Sequence, residues 1–175
     1  AAALDIISDE TTSRNEYGNV LNINSSNENI RKVLHNLFYD VLNVEFNLST
    51  WIRNMCKYGD FYLKLEVSEK FGVYNVIPLS VYEVVREEGT DPENPNYVKF
   101  TLDPNGLASG ATNTIRRDQF SLENYEVAHF RLLTDSNYLP YGRAFLEPAR
   151  KVFKQLMLME DAMLIHRIMR APEKR

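Results

Sequence analysis

The sequence predicts an α+β fold: two N-terminal helices, an antiparallel meander of about five strands and one long C-terminal helix. Three observations carry this. Apolar residues between Ile30 and Tyr58 recur at helical spacing, and those from Asp60 to Leu102 largely recur at every second position. No helix breaker then stands between Pro148 and Pro172. The chain accordingly divides into an extended arm at 1–29, an α+β core at 30–142 and the long helix at 143–175.

Residues 8–29 are polar and rich in Ser, Asn and Thr, with Val20, Leu21 and Ile23 apolar in their middle. They predict an extended arm with room for one short strand, held only where it lies on a neighbour. Ile30, Val33, Leu34, Leu37, Phe38, Val41 and Leu42 then follow the i, i+3, i+4, i+7 spacing of an amphipathic helix. Ser26 or Asn27 suits its N-cap. A second helix is expected over Leu48–Tyr58, with Trp51, Ile52, Met55 and Cys56 inward and Gly59 as its stop.

From Asp60 the period changes to two. Phe61, Leu63, Leu65 and Val67 alternate with Tyr62, Lys64 and Glu66, which predicts a strand with one face solvated. Further strands are expected at Val73–Leu79, Val81–Glu87 and Tyr97–Leu102, and a buried one closes the series at Tyr125–Leu132. Asp103-Pro104-Asn105-Gly106 is a turn with a mechanism: Pro fixes φ and Gly supplies a positive one. Thr101–Thr114 is the internal loop expected to be least ordered.

The net charge of −4 is unevenly spread. Residues 143–175 hold eight Lys/Arg against four Asp/Glu, and 1–142 hold twelve against twenty. A basic terminal helix on an acidic body suits a part that meets another surface. Cys56 is alone, so one chain holds no disulfide framework. No run of about 18 apolar residues occurs, so no stretch is expected to span a membrane. The opening Ala1-Ala2-Ala3-Leu4-Asp5 has neither the basic nor the apolar region of a signal peptide. Without an initiator Met or a C-cap glycine after the long helix, the chain is expected to be a fragment that continues into a missing part.

Catalytic chemistry finds little support. His35, His129 and His166 lack a second His or Cys at metal-ligand spacing. His35 is expected to be exposed and His129 to be a satisfied core residue, while His166 lies on the long helix. Cys56 beside Trp51 and Met55 reads as a small buried hydrophobe. No glycine-rich phosphate loop occurs. Glu160 and Asp161 are adjacent on a helix and so point about 100° apart. No catalytic, cofactor-binding or metal-binding residue is therefore assigned.

The long helix is the candidate for contact. Phe153, Leu156, Met157, Met163, Leu164 and Ile168 form one stripe, and Leu158, Met159, Ala162, Ile165 and Met169 fill most of the other sides. A helix apolar nearly all round is expected to be buried nearly all round. Leu158, Met159, Ile165 and Met169 are accordingly candidates for a subunit interface. Arg167, Arg170, Lys174 and Arg175 are candidates for contact with DNA or an acidic partner, or they simply face water.

The run from His129-Phe130-Arg131 through Pro140-Tyr141-Gly142-Arg143 to Met159-Glu160-Asp161-Ala162-Met163 and Arg170–Arg175 resembles the portal (head-tail connector) proteins of contractile-tailed, myovirus-type bacteriophages. The stretches from Ser25 to Asn43 and from Cys56 to Ser80 extend the resemblance, which covers roughly Asp5 to Arg175. It implies a homo-oligomeric ring of twelve subunits at one capsid vertex, through which double-stranded DNA enters and leaves. The implied partners of the complete portal are the major capsid protein, the terminase large subunit and neck proteins. No cofactor or small-molecule substrate is implied, and ATP hydrolysis belongs to the terminase. The implied location is the virion, with the host cytoplasm during assembly. Residues 1–175 would be the N-terminal part of the wing, and the long helix would lead toward the stem.

Two other classes compete. A nucleic-acid-binding module using the basic helix predicts salt-dependent DNA affinity. A small hydrolase requires a pocket with perturbed carboxylates.

Overall fold

The computed structural model describes residues 2–89, 92–102, 120–132 and 138–170. Its contacts separate two compact units, 1–144 and 145–175. The α+β class holds, with two departures from the expected layout.

The first concerns the N-terminus, where an extended arm was expected and a helix, α1 (Ala2–Thr11), forms over the first residues. Leu4, Ile7 and Ser8 share one face at helical spacing, and Leu4 and Ser8 are buried. Ser8 Oγ donates to the Ser49 carbonyl (2.6 Å), and Asp5 pairs with Arg53. Both partners lie on α3 (Val44–Tyr58), so α1 is held by a neighbouring helix. A small polar residue occupies one of the buried positions, which hides the stripe from a reading of apolar residues alone.

Asn27 caps α2 (Glu28–His35) by accepting from the Asn29 N–H (2.9 Å). The helix then widens into a π-helical segment, Asn36–Val41, closed by Leu42 N–H to the Leu37 carbonyl (2.9 Å). The apolar stripe is only partly covered: Leu34, Leu37, Phe38, Val41 and Leu42 are half-buried, but Ile30 and Val33 are more than half exposed. Gly59 ends α3 at φ +91°, its N–H donating to Met55 O (2.7 Å). This is the expected left-handed stop.

The second departure is the sheet. Instead of one meander of five strands, six described strands form two antiparallel three-stranded sheets. The first is ordered β2 (Gly72–Leu79), β1 (Asp60–Ser68), β6 (Val127–Arg131). The second is ordered β3 (Val84–Glu88), β4 (Val98–Leu102), β5 (Phe120–Glu123). The chain changes sheet between β2 and β3, and again at the short turn between β5 and β6. Periodicity reports which residues face inward but not which strand they pair with.

The two sheets share the core. Tyr62 and Val127 from the first sheet meet Val84, Phe100 and Leu122 from the second. Tyr62 is fully buried, so the face of β1 expected to be solvated is covered at its start. The opposite face carries Phe61 and Leu63, with Trp51 of α3 packed on Phe61 at 6.1 Å between ring centroids. A register shift at Glu66/Val67 turns Val67 outward, where it is exposed. Of the Thr101–Thr114 loop, Thr101 and Leu102 belong to β4 and the remainder lies outside the described residues.

Candidate functional site

Where β1, β3, β6 and the 140–143 segment converge, a polar cluster forms round the buried side chains of Asp60 and His129. Asp60 Oδ1 accepts from His129 Nε2 (2.8 Å) and from the Gly142 N–H (2.9 Å). On its other side, His129 Nδ1 lies 3.1 Å from Arg86 Nη1. A guanidinium only donates, so Nδ1 accepts and the ring carries its proton on Nε2. Arg86 Nε in turn donates to Glu88 Oε1 (2.6 Å), and the Arg86 N–H donates to the Tyr141 hydroxyl (3.2 Å). Tyr62 stacks on the imidazole at 4.4 Å, and Phe100 meets it edge-on at 6.1 Å. His129 is therefore the satisfied core residue the sequence predicted.

The same corner contains a close backbone crossing. Leu132 N–H donates to Gly59 O (2.8 Å), and Arg143 N–H donates to Leu132 O (3.1 Å). A Cβ on Gly142 would lie 2.0 Å from the Gly59 carbonyl oxygen, and one on Gly59 would lie 2.7 Å from the Arg143 carbonyl carbon. Only glycine fits at either position. Arg131 Nη1 donates to Pro140 O (2.7 Å), and Leu139–Pro140 is a cis peptide. His129-Phe130-Arg131 and Pro140–Arg143 thus meet in space, which supplies a physical reason for both motifs.

This constellation ties the fold and is not arranged for nucleophilic catalysis. Both His129 nitrogens are bonded to Asp60 and Arg86, and neither group is a nucleophile that an imidazole activates. Among the described residues the Tyr62 hydroxyl has no hydrogen-bond partner; burial, and then the Asp60 charge, raise its pKa well above the ordinary phenol value. Burial also pushes the Cys56 thiol up, away from the thiolate that reactivity requires. No group of three or more His, Cys, Asp or Glu able to hold a metal ion occurs among the described residues. Asp60 and Arg86 were given no role from the sequence, and Gly142 entered only through the Pro140–Arg143 motif, although a buried histidine demands partners for both nitrogens.

In the second unit, a short 3₁₀ turn at Glu147–Ala149 continues directly into α4 (Arg150–Arg170), and no break occurs near Met157–Glu160. None of its residues is buried, and Leu158, Met159, Ile165 and Met169 are 57% to 72% exposed. Arg167 and Arg170 occupy the last turn, where the helix dipole favours cations. Lys174 and Arg175 lie outside the described residues. His35 and His166 are exposed. Among the described residues no helix is long and apolar enough to cross a membrane.

No curated protein matches the chain. The family described as Bacteriophage T4-like portal protein (Gp20) matches it over residues 1–175. The match spans the buried polar corner, the glycine crossing and the exposed helix together, so the chain belongs to the T4-like bacteriophage portal protein family.

Proposed function

We propose that residues 1–175 form the N-terminal part of the portal wing, a structural, non-catalytic portion of a ring subunit at the capsid vertex. In this reading, residues 30–142 are the wing core and 143–175 lead toward the stem. The ring contains twelve copies and forms the channel for DNA packaging and ejection. It connects head to tail, and the complete portal meets the major capsid protein, the terminase large subunit and neck proteins, in the virion and earlier in the host cytoplasm.

One observation carries the oligomeric part. α4 spreads Leu158, Met159, Ile165 and Met169 round its surface, and none is buried. Apolar surface of this extent favours association, at about 25 cal/mol per Å² removed from water. A ring subunit flanked on two sides offers such cover. The acidic balance of residues 1–142 supports passage of DNA without adhesion, since rows of Lys/Arg would bind phosphates strongly. The positive charge of Arg167 and Arg170 already has a local role at the helix end, which weakens the DNA-binding alternative.

Imaging the full-length portal protein by electron microscopy tests the proposal. Rings with a central hole are expected, and a Leu158→Glu/Ile165→Glu variant with unchanged helix content should yield separate subunits. Wild-type protein that never forms rings would end the ring reading. Rings that survive the double substitution would remove α4 from the interface.

A further inference from the structure

We infer that the cleft between the 19–23 segment and α2 is an oxyanion site that takes a phosphate group. This inference stands apart from the portal reading, because it rests on a different part of the fold. The cleft has a volume of about 330 Å³, within the range of small-ligand sites. Leu21 and Ile23 supply its apolar wall. Its rim carries Arg31, Lys32 and His35, which one helix brings together because residues three and four apart are neighbours on its surface.

The cleft offers several unspent donors, beside the Asn19 amide and the His35 ring, which can each donate or accept. The Lys32 side chain makes no ion pair or hydrogen bond among the described residues. Arg31 meets only Glu28, at 3.9 Å, too long for a firm pair. Asn22 already uses its carbonyl oxygen to accept from Asn15 Nδ2 (3.1 Å), which leaves its NH₂ group to donate. The Tyr39 hydroxyl is spent on the Leu21 carbonyl (2.6 Å), and the Tyr39 ring stacks on His35 at 4.4 Å and fixes its plane. No carboxylate lines the cleft, although residues 1–142 hold twenty Asp/Glu against twelve Lys/Arg. A concave surface with two cations and an amide donor on it, in an acidic body, is matched by a compact anion with several acceptor oxygens. Phosphate fits that description, whether free or as part of a nucleic-acid backbone.

Two probes separate the sources. Inorganic pyrophosphate and a duplex DNA of about 20 base pairs are each titrated into the 175-residue chain, with amide resonances as the readout. Pyrophosphate is expected to shift residues 19–23 and 31–39 saturably, and Arg31→Ala/Lys32→Ala should weaken it at least tenfold. Both side chains are exposed, so the variant should keep its helix signal; the milder Lys32→Gln should lose affinity by a smaller factor. Competition by the duplex, with affinity falling about tenfold between 50 and 200 mM salt, identifies a backbone phosphate, since roughly two neutralised phosphates give that slope. Pyrophosphate binding without duplex competition identifies a free anion, and still supports the site. Absence of saturable binding, shifts spread over all basic surfaces, or affinity untouched by the double variant would overturn the inference. An acidic peptide that binds there while pyrophosphate does not would overturn it as well.

Discussion

Asp60 accepts two hydrogen bonds in a buried corner, and removing its carboxylate strands two donors at once. Asp60→Ala should cost about 3 kcal/mol in urea unfolding, the scale for orphaning buried, charge-assisted bonds. Tyr62→Phe should change stability by less than about 0.5 kcal/mol or raise it, because the hydroxyl it removes has no partner. Reversal of that order would mean that the phenol and not the carboxylate holds the corner. Burial raises the pKa of Cys56 and Tyr62 above ordinary values of 9.0 and 10.0. The unfolded chain therefore releases these protons first, so stability is complete below about pH 9 and falls as pH rises beyond it. Unfolding midpoints at about pH 8 and about pH 11 should show this fall, and Cys56→Ala/Tyr62→Phe should flatten it. His129 and Cys56 were legible in the sequence as core residues because each sits in an apolar pattern. Asp60 was not, since its partner lies 69 residues away and no local period connects them.

Among the elements, boundaries with a chemical cause were legible: Asn27 caps α2 and Gly59 stops α3 as predicted. What escaped were α1, whose stripe includes Ser8, and β5, a strand of four residues with one buried side chain, Leu122. The division into two sheets escaped as well, because strand pairing is a long-range choice that alternation cannot encode. The glycine crossing makes a sharp contrast. Gly142→Ala drives a Cβ into the Gly59 carbonyl and should cost about 3 kcal/mol. Gly72→Ala, at φ +70° with open space around it, should cost only about 1 kcal/mol. Equal thermal shifts for the two variants would mean that the crossing is looser than its distances indicate.

At the scale of the whole molecule, the buried cluster belongs to the body, and no residue of α4 is buried. Leu158→Glu in the 175-residue chain should therefore alter unfolding free energy by less than about 0.5 kcal/mol, as for exposed positions generally. A large loss on calorimetry would show that the residue is covered within one chain. The long helix and its apolar surplus were legible from the breaker-free stretch between Pro148 and Pro172 and its apolar positions, since they need no partner strand to define them.

The corner formed by Asp60, Leu132 and Gly142 also has a mechanical meaning. Tension entering the body through Arg143 meets Arg143 N–H to Leu132 O, Gly142 N–H to Asp60 at the head of β1, and Leu132 N–H to Gly59 O. The load divides between Asp60 and Leu132, and the share on Leu132 passes on to Gly59. A subunit that experiences repeated pulls along its exit would keep its core registered while the strain stops at the anchor.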